Sequence, residues 1–159
     1  MRHCRFEDLD PEQQRLLLAA ENALKLSYSP YSGFCAASAL LCFDGEILSA
    51  ANVENASYNV TICAERSALV YANARGYRSF KAAAIIGKGR DFDSLEPVAP
   101  CGICRQMLFE AAQLGSGDME VIMSNTRKDK VVVSCITELL PLGFGPRDLK
   151  IDVSAYSSK

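Results

Sequence analysis

Two cysteine-bearing stretches lie far apart in this chain, and bringing them together limits its possible folds more than any other feature. The first is Cys63-Ala64-Glu65 and the second is Pro100-Cys101-Gly102-Ile103-Cys104. Each stands where a strand or loop enters a helix, Cys63 before a helix over 64–74 and Cys101 before one over 102–114. Unpaired N–H groups give a helix N-terminus partial positive charge, which favours thiolate over thiol. Cys-x-x-Cys within a first helical turn can point both sulfurs at one ion, and Cys63 adds a third from a second helix N-terminus. Three thiols and one carboxylate at these spacings suit zinc with one position left open. A structural zinc site usually closes with four protein ligands, whereas a catalytic one keeps a place for water. Glu65, two residues beyond the first thiol, is placed to move protons to and from that water.

The rest of the chain supplies an alternation of helices and strands. Asp10 is a candidate N-cap with Pro11 at the first helical position, and Leu16, Leu17, Ala20, Ala23 and Leu24 recur at helical spacing, predicting a helix over 11–26. Strands over 34–43 and 47–53 flank Asp44-Gly45, a two-residue hairpin signal. The 64–74 helix ends near Gly76 in a C-cap role. The apolar run over 80–87, interrupted only by Lys81, suits a strand buried on both faces. Shorter strands over 120–124 and 131–134 flank a polar turn at Arg127-Lys128-Asp129-Lys130, and a short helix over 135–140 precedes Pro141. The order αββαβαββα implies an α/β domain with one mixed sheet, roughly five-stranded, covered by helices.

Size and charge narrow the function. At 159 residues the chain is expected to be one domain, 1–159, with a core over roughly 10–153 and a frayed tail at 154–159. The net charge is −2 and no dense Lys/Arg run occurs, so nucleic acid is not an expected partner. No apolar run approaches the roughly 18 residues of a membrane span, and residues 1–10 lack the apolar region of a secretory signal. Seven cysteines, an odd and scattered set, read as reduced thiols in a cytoplasmic protein. Asn55-Ala56-Ser57 and Asn59-Val60-Thr61 then carry no glycosylation meaning.

Other readings of the cysteines compete with the zinc site. Cys-x-x-Cys at a helix start is also the mark of a thioredoxin-like redox pair, but that leaves Cys63 and Glu65 unexplained and lacks a neighbouring tryptophan. A closed four-cysteine site through Cys35, Cys42 or Cys135 lacks a second knuckle. These three and Cys4 read as small hydrophobes. His3 is the only histidine and lies in a terminus read as mobile, so a histidine-rich site is excluded from the core. Three thiolates on a zinc dication leave a formal charge of minus one, which some cation should offset. Arg66 and Arg105 are the candidates, with helix-surface solvation as the alternative for both.

With Cys-Ala-Glu and Pro-Cys-x-x-Cys together, the chain resembles the zinc nucleoside and nucleobase deaminases, in which a metal-activated water attacks the amino-bearing carbon of a base and a glutamate is general acid/base. Tyr31-Ser32-Gly33-Phe34, Asn52-Val53-Glu54-Asn55-Ala56, Cys63-Ala64-Glu65-Arg66, Pro100 to Gln106 and Glu138-Leu139-Leu140-Pro141 are similar to the small cytidine deaminases, in the right order over roughly 30–149. The resemblance implies a three-layer cytidine-deaminase-like fold. It implies one zinc per subunit on Cys63, Cys101 and Cys104, with Glu65 as proton shuttle and Arg66 hydrogen-bonded to the thiolates. It further implies that Asn52 and Glu54 hold the ribose hydroxyls, that Phe34 packs on the pyrimidine, and that the backbone at Ala64 and Cys101 reads its polar edge. Such enzymes are typically homotetramers, and Ala56, Tyr58 and Phe144 occupy positions lent to neighbouring subunits.

Taken without the resemblance, Asn52 and Glu54 also read as an ordinary polar turn, Phe34 as core, and Tyr58 and Phe144 as packing residues. One departure stands out: the family commonly has proline or lysine, then valine and glycine, after the phenylalanine, whereas this chain has Cys35-Ala36-Ala37-Ser38. The expected reaction is hydrolytic deamination of free cytidine and 2′-deoxycytidine to the uridines, with release of ammonia, in pyrimidine salvage. The rivals are a deaminase acting within RNA or DNA, one for a nucleoside-like antibiotic, and a zinc-stabilised protein without activity.

Overall fold

The computed structural model describes residues 1–115 and 117–157. Its centre is a six-stranded sheet formed by β1 (Arg2–Cys4), β2 (Phe34–Cys42), β3 (Ile47–Ala51), β4 (Phe80–Gly89), β5 (Glu120–Ser124) and β6 (Val131–Cys135), in the order β1-β6-β5-β4-β2-β3. The helices are α1 (Pro11–Ala23), α2 (Ala64–Ala74), α3 (Gly102–Leu114) and the single turn α4 (Ile136–Leu139). The sheet is mixed as expected: β4 and β5 pair in parallel and the other pairs are antiparallel.

The strand number corrects the expected five. β1 is a three-residue segment too short for any alternation to betray it, and it is held by backbone pairing of Arg2, His3 and Cys4 with Val133, Val132 and Val131. His3 therefore lies in the sheet and not in a mobile terminus. The hairpin loop also differs, because Cys42 N–H donates to the Glu46 carbonyl at 2.9 Å and Gly45 N–H to Cys42 at 3.1 Å. These bonds close a loop of Phe43, Asp44 and Gly45, with Gly45 at φ +90 where a side chain would strain the backbone.

Helix α1 starts as expected: Asp10 accepts from the N–H groups of Glu12 and Gln13, both at 2.9 Å, and Gln13 reaches back to Asp10 N–H at 3.1 Å. It ends at Ala23, before the expected 26, in a 3₁₀ turn over Leu24–Leu26. The following residues are diverted to the sheet, where Tyr28 N–H donates to the Asn52 carbonyl at 3.0 Å. Ser154–Tyr156 forms a further 3₁₀ turn whose Tyr156 carbonyl accepts from Arg78, while the tail residues 158 and 159 lie outside the described residues.

Alternation along the strands separates two apolar cores. Ala37, Ala39, Leu41, Ala82, Ala84, Ile86 and Ile122 face Leu16, Leu17 and Ala20 of α1. Leu40, Leu48, Ala83, Ile85, Val121 and Met123 face Ala68 and Ala72 of α2, Leu108 and Ala112 of α3, and Ile136 and Leu139 of α4. The result is the three-layer architecture implied by the resemblance. Because β3, β4 and β5 run in one direction, α2 and α3 lie on one face and both begin beyond the C-terminal ends of strands. Their N-termini therefore converge, and loops outside strand C-termini are where α/β sheets form their sites.

Candidate active site

Cys63 and Cys101 are the N-cap residues of α2 and α3, both with extended backbone, and Cys104 lies in the first turn of α3. The sulfurs of Cys63, Cys101 and Cys104 all fall within 4.8 Å of one another, with Cys101 and Cys104 at 3.5 Å. Zinc–thiolate bonds of about 2.3 Å in a tetrahedron require sulfurs about 3.8 Å apart, so the three thiols fit one zinc ion. They are graded in burial, with Cys104 buried, Cys63 half-buried and Cys101 exposed. Negative charge falls first on Cys63. A hydrogen bond from Cys104, then the Arg66 guanidinium, outweigh burial and bring its thiol down to about 5.

Glu65 follows Cys63 into the first turn of α2 and is only 5% exposed. Burial, foremost, and the negative charge of Cys63 push its carboxyl above the ordinary range, the direction that suits a group alternating between base and acid. Arg66 turns back toward the cluster: its Nη2 donates to the Thr61 carbonyl at 2.6 Å and approaches Cys63 Sγ at 3.9 Å. Its Nε is buried with no hydrogen-bond partner among the described residues. A guanidinium kept in place without full satisfaction fits a neighbour of negative charge, as a three-thiolate zinc site is. Arg105 does not share this role. Its Nε and Nη1 donate to the carbonyls of Pro100 at 2.9 Å and Leu139 at 3.0 Å, tying the start of α3 to the end of α4.

Beside the thiols runs the segment that follows β3. Val53 pairs through both backbone groups with Ile62, at 2.9 Å each way, one residue before Cys63. Asn52 and Glu54 flank this pair and are nearly buried, at 8% and 7% exposed. Asn52 Oδ1 accepts from the Ser27 hydroxyl at 2.6 Å and Ala36 N–H at 2.9 Å, and its Nδ2 donates to the Phe34 carbonyl at 2.9 Å. Glu54 Oε2 accepts from the N–H groups of Tyr31 at 3.0 Å and Ser32 at 3.2 Å, while Oε1 accepts from the Ser32 hydroxyl. These donors, the Ser32 hydroxyl first, hold the Glu54 carboxyl below its ordinary range. Phe34 is half-buried, and its ring lies where a Cβ on Gly87 would meet it at 3.0 Å.

Ala64 is fully buried at the start of α2. Ala56, Tyr58 and Phe144 lie outside the two helices that carry the thiols. All three are exposed, Tyr58 at 61% and Phe144 at 58%. Tyr58 packs edge-on against Tyr31 with ring centroids 6.0 Å apart, and the Phe144 carbonyl accepts from Gln106 at 2.7 Å. Sequence reasoning gave no role at the site to Ser27, Ser32, Thr61 or Gly87. Isolated serines and glycines in turn-rich stretches carry no signal of their own, and only the fold aims them.

A three-layer α/β fold that joins three thiols and a buried carboxylate at two helix N-termini defines a zinc-dependent hydrolase. Residues 10–115 match the profile of the cytidine and deoxycytidylate deaminase zinc-binding region. The cytidine deaminase of Sporosarcina psychrophila is 38% identical over 136 residues, covering 86% of this chain and 93% of its own length. That of Halalkalibacterium halodurans is 39% identical over 138 residues, covering 87% and 98%. The crystal structure of cytidine deaminase from Burkholderia pseudomallei superposes with a TM-score of 0.73 at 41% identity, over 82% of this chain and 97% of that one. The chain belongs to the cytidine and deoxycytidylate deaminase family.

Proposed function

We propose that this enzyme hydrolytically deaminates free cytidine and 2′-deoxycytidine to uridine and 2′-deoxyuridine, releasing ammonia. The observation that carries the reading is the buried carboxylate of Glu65 beside three clustered thiols. Bound by Cys63, Cys101 and Cys104, zinc supplies a Lewis-acidic centre that makes water acidic enough to lose a proton near neutral pH. Glu65 takes a proton from the attacking water as its oxygen bonds to C4, delivers that proton to N3 of the ring, and then carries the remaining proton of the new C4 hydroxyl to the amino group, so that the C4–N bond breaks and ammonia leaves. Arg66 offsets the thiolate charge, and the backbone at Ala64 and Cys101 faces the polar edge of the base.

Hydrogen-bond capacity supports a sugar-bearing substrate. Three donors occupy the Glu54 carboxylate, leaving one acceptor position on Oε1, and Asn52 keeps one Nδ2–H after donating to Phe34. One donor and one acceptor match a single hydroxyl, which both the ribo- and the deoxyribonucleoside possess. Phe34 is the ring against which the pyrimidine packs. The whole chain acts as one catalytic domain with its core over 10–153. Exposed Tyr58 and Phe144, with Ala56, support a homotetramer in which each site borrows groups from neighbours. Seven unbridged cysteines support a cytoplasmic, reducing setting, and among the described residues no helix is long and apolar enough to cross a membrane.

Steady-state ammonia release from cytidine by zinc-loaded protein tests this reading, with Glu65→Gln as control. The expected result is turnover in the wild type and a loss of about 10²–10⁴-fold or more in kcat in the variant at unchanged zinc content. Near wild-type turnover by folded, zinc-loaded E65Q would overturn the mechanism.

A further inference from the structure

Between the sugar-side carboxylate and the backbone that carries the base-side ring lies one residue hydrogen-bonded to both. The Ser32 hydroxyl donates to Glu54 Oε1, and the same oxygen accepts the Phe34 N–H at 3.0 Å. The Ser32 backbone N–H also donates to Glu54 Oε2 at 3.2 Å. Gly33, at φ +67, turns the chain between the two contacts, and the turn is closed outside by Arg90, whose N–H donates to the Gly33 carbonyl at 2.7 Å. Ser32 itself is exposed, so this arrangement is not a by-product of core packing.

We propose that Ser32 is a positioning residue that couples the grip on the sugar to the placement of the base. The inference rests on the nucleoside reading given above. A sugar hydroxyl donating to Glu54 shares Oε1 with the Ser32 hydroxyl, and Ser32 relays any displacement of that oxygen to the Phe34 backbone. Phe34 follows because its ring is seated against Gly87, where little free space remains. Sugar and base are thereby recognised as one unit, and a free base lacking the sugar meets a site set up only in part. Ser32 makes no contact with the reacting atoms, and the proton transfers of Glu65 do not depend on it.

The experiment compares cytidine with 1-methylcytosine, which keeps the ring and loses the sugar. In Ser32→Ala, KM for cytidine should rise roughly tenfold, the scale of a lost hydrogen bond to a charged group, with kcat within about twofold of wild type. KM for 1-methylcytosine should change much less, so the preference for the nucleoside shrinks. Ser32→Thr, which retains the hydroxyl, should restore it. In a Glu54→Gln background the further S32A change should add little, because both substitutions break one linkage. Unchanged cytidine KM in S32A overturns the coupling, as does equal loss on both substrates or full additivity with E54Q. Wild-type protein that turns over neither substrate overturns the nucleoside reading and this inference together, whereas an active wild type with an indifferent S32A overturns the inference alone.

Discussion

Replacing Arg66 by Gln should weaken zinc binding by about 10–100-fold without unfolding the protein. The guanidinium sits 3.9 Å from Cys63 Sγ and is anchored at 2.6 Å to the Thr61 carbonyl, so its charge is fixed beside the thiolates. At this separation and an effective dielectric constant near 20, two unit charges attract by roughly 4 kcal/mol. Desolvation of the guanidinium and residual screening by water reduce the net effect to about 1.4–2.8 kcal/mol, which is the 10–100-fold range of groups just outside a metal's ligands. Gln is uncharged, so the thiolates lose the compensation and bind protons more readily in competition with the metal. The penalty should therefore widen as pH falls. Arg66→Lys should give an intermediate loss, since it keeps the charge but replaces the planar guanidinium, whose Nη2 meets both the Thr61 carbonyl and Cys63 Sγ, by a differently placed ammonium. Competition against a colorimetric chelator, at fixed ionic strength and at two pH values, reads the dissociation constant directly. Zinc affinity within about twofold of wild type in a folded R66Q protein would refute the charge-compensation argument, because the reasoning allows no smaller effect.

Two further outcomes follow from the geometry. Gly87→Ala places a Cβ 3.0 Å from the Phe34 ring and 3.2 Å from the Cys35 carbonyl. Overpacking of this kind costs about 1–3 kcal/mol, and it should raise KM for cytidine several-fold through the displaced ring; an unchanged KM would remove Phe34 from the base pocket. Glu138 accepts from the Ser134 hydroxyl at 2.6 Å, from the N-terminal ammonium at 3.0 Å and from Cys135 N–H at 3.2 Å, which holds its carboxyl down to about 2. A pKa depressed in the folded state stabilises fully above the ordinary value of 4.5, and that stabilisation is lost as pH falls toward 2. Glu138→Gln should thus be less stable than wild type at neutral pH, with the difference in Tm closing between pH 4.5 and 2. A difference that stays constant over this range would show that Glu138 does not act through its charge.

The site was legible in the sequence where the chemistry demands particular residue types at close spacing. Cys-Ala-Glu and Cys-x-x-Cys announce the three clustered thiols and the buried carboxylate, and the Asp10 cap of α1 follows from local rules, whereas Cys63 and Cys101 stand at the N-caps of α2 and α3 without a side-chain capping bond. The strands with long apolar runs, β2 and β4, were legible for a similar reason, since burial on both faces leaves little room for polar residues. β1 was not, because three residues at a sheet edge are held by backbone groups that every residue possesses. The role of Arg105 was ambiguous for a different reason. Adjacency to a metal ligand in sequence does not fix direction on a helix, and Arg66 turns toward the thiols whereas Arg105 turns toward two carbonyls.

Asn52 marks the limit of such reading, because the amide proposed to hold the sugar also serves the fold. Its Oδ1 and Nδ2 satisfy Ala36 N–H and the Phe34 carbonyl at the start of β2, so the side chain proposed to present a donor to the sugar also fixes the strand that bears Phe34. In sequence this looks like any asparagine that closes a turn. Asn52→Ala leaves at least two backbone groups without their partners in a nearly buried setting, at about 1–3 kcal/mol for each such group. The variant should therefore lose stability in denaturant unfolding and, at a temperature where it remains folded, bind cytidine more weakly. Ser27→Ala separates the two effects. It removes one hydroxyl donor to Oδ1 and leaves both backbone bonds in place. S27A should lose no more than about 1.5 kcal/mol of stability and keep the cytidine KM close to wild type. If S27A raised KM as much as N52A, the Asn52 amide would be acting through the fold alone, and its assignment to the sugar would fail.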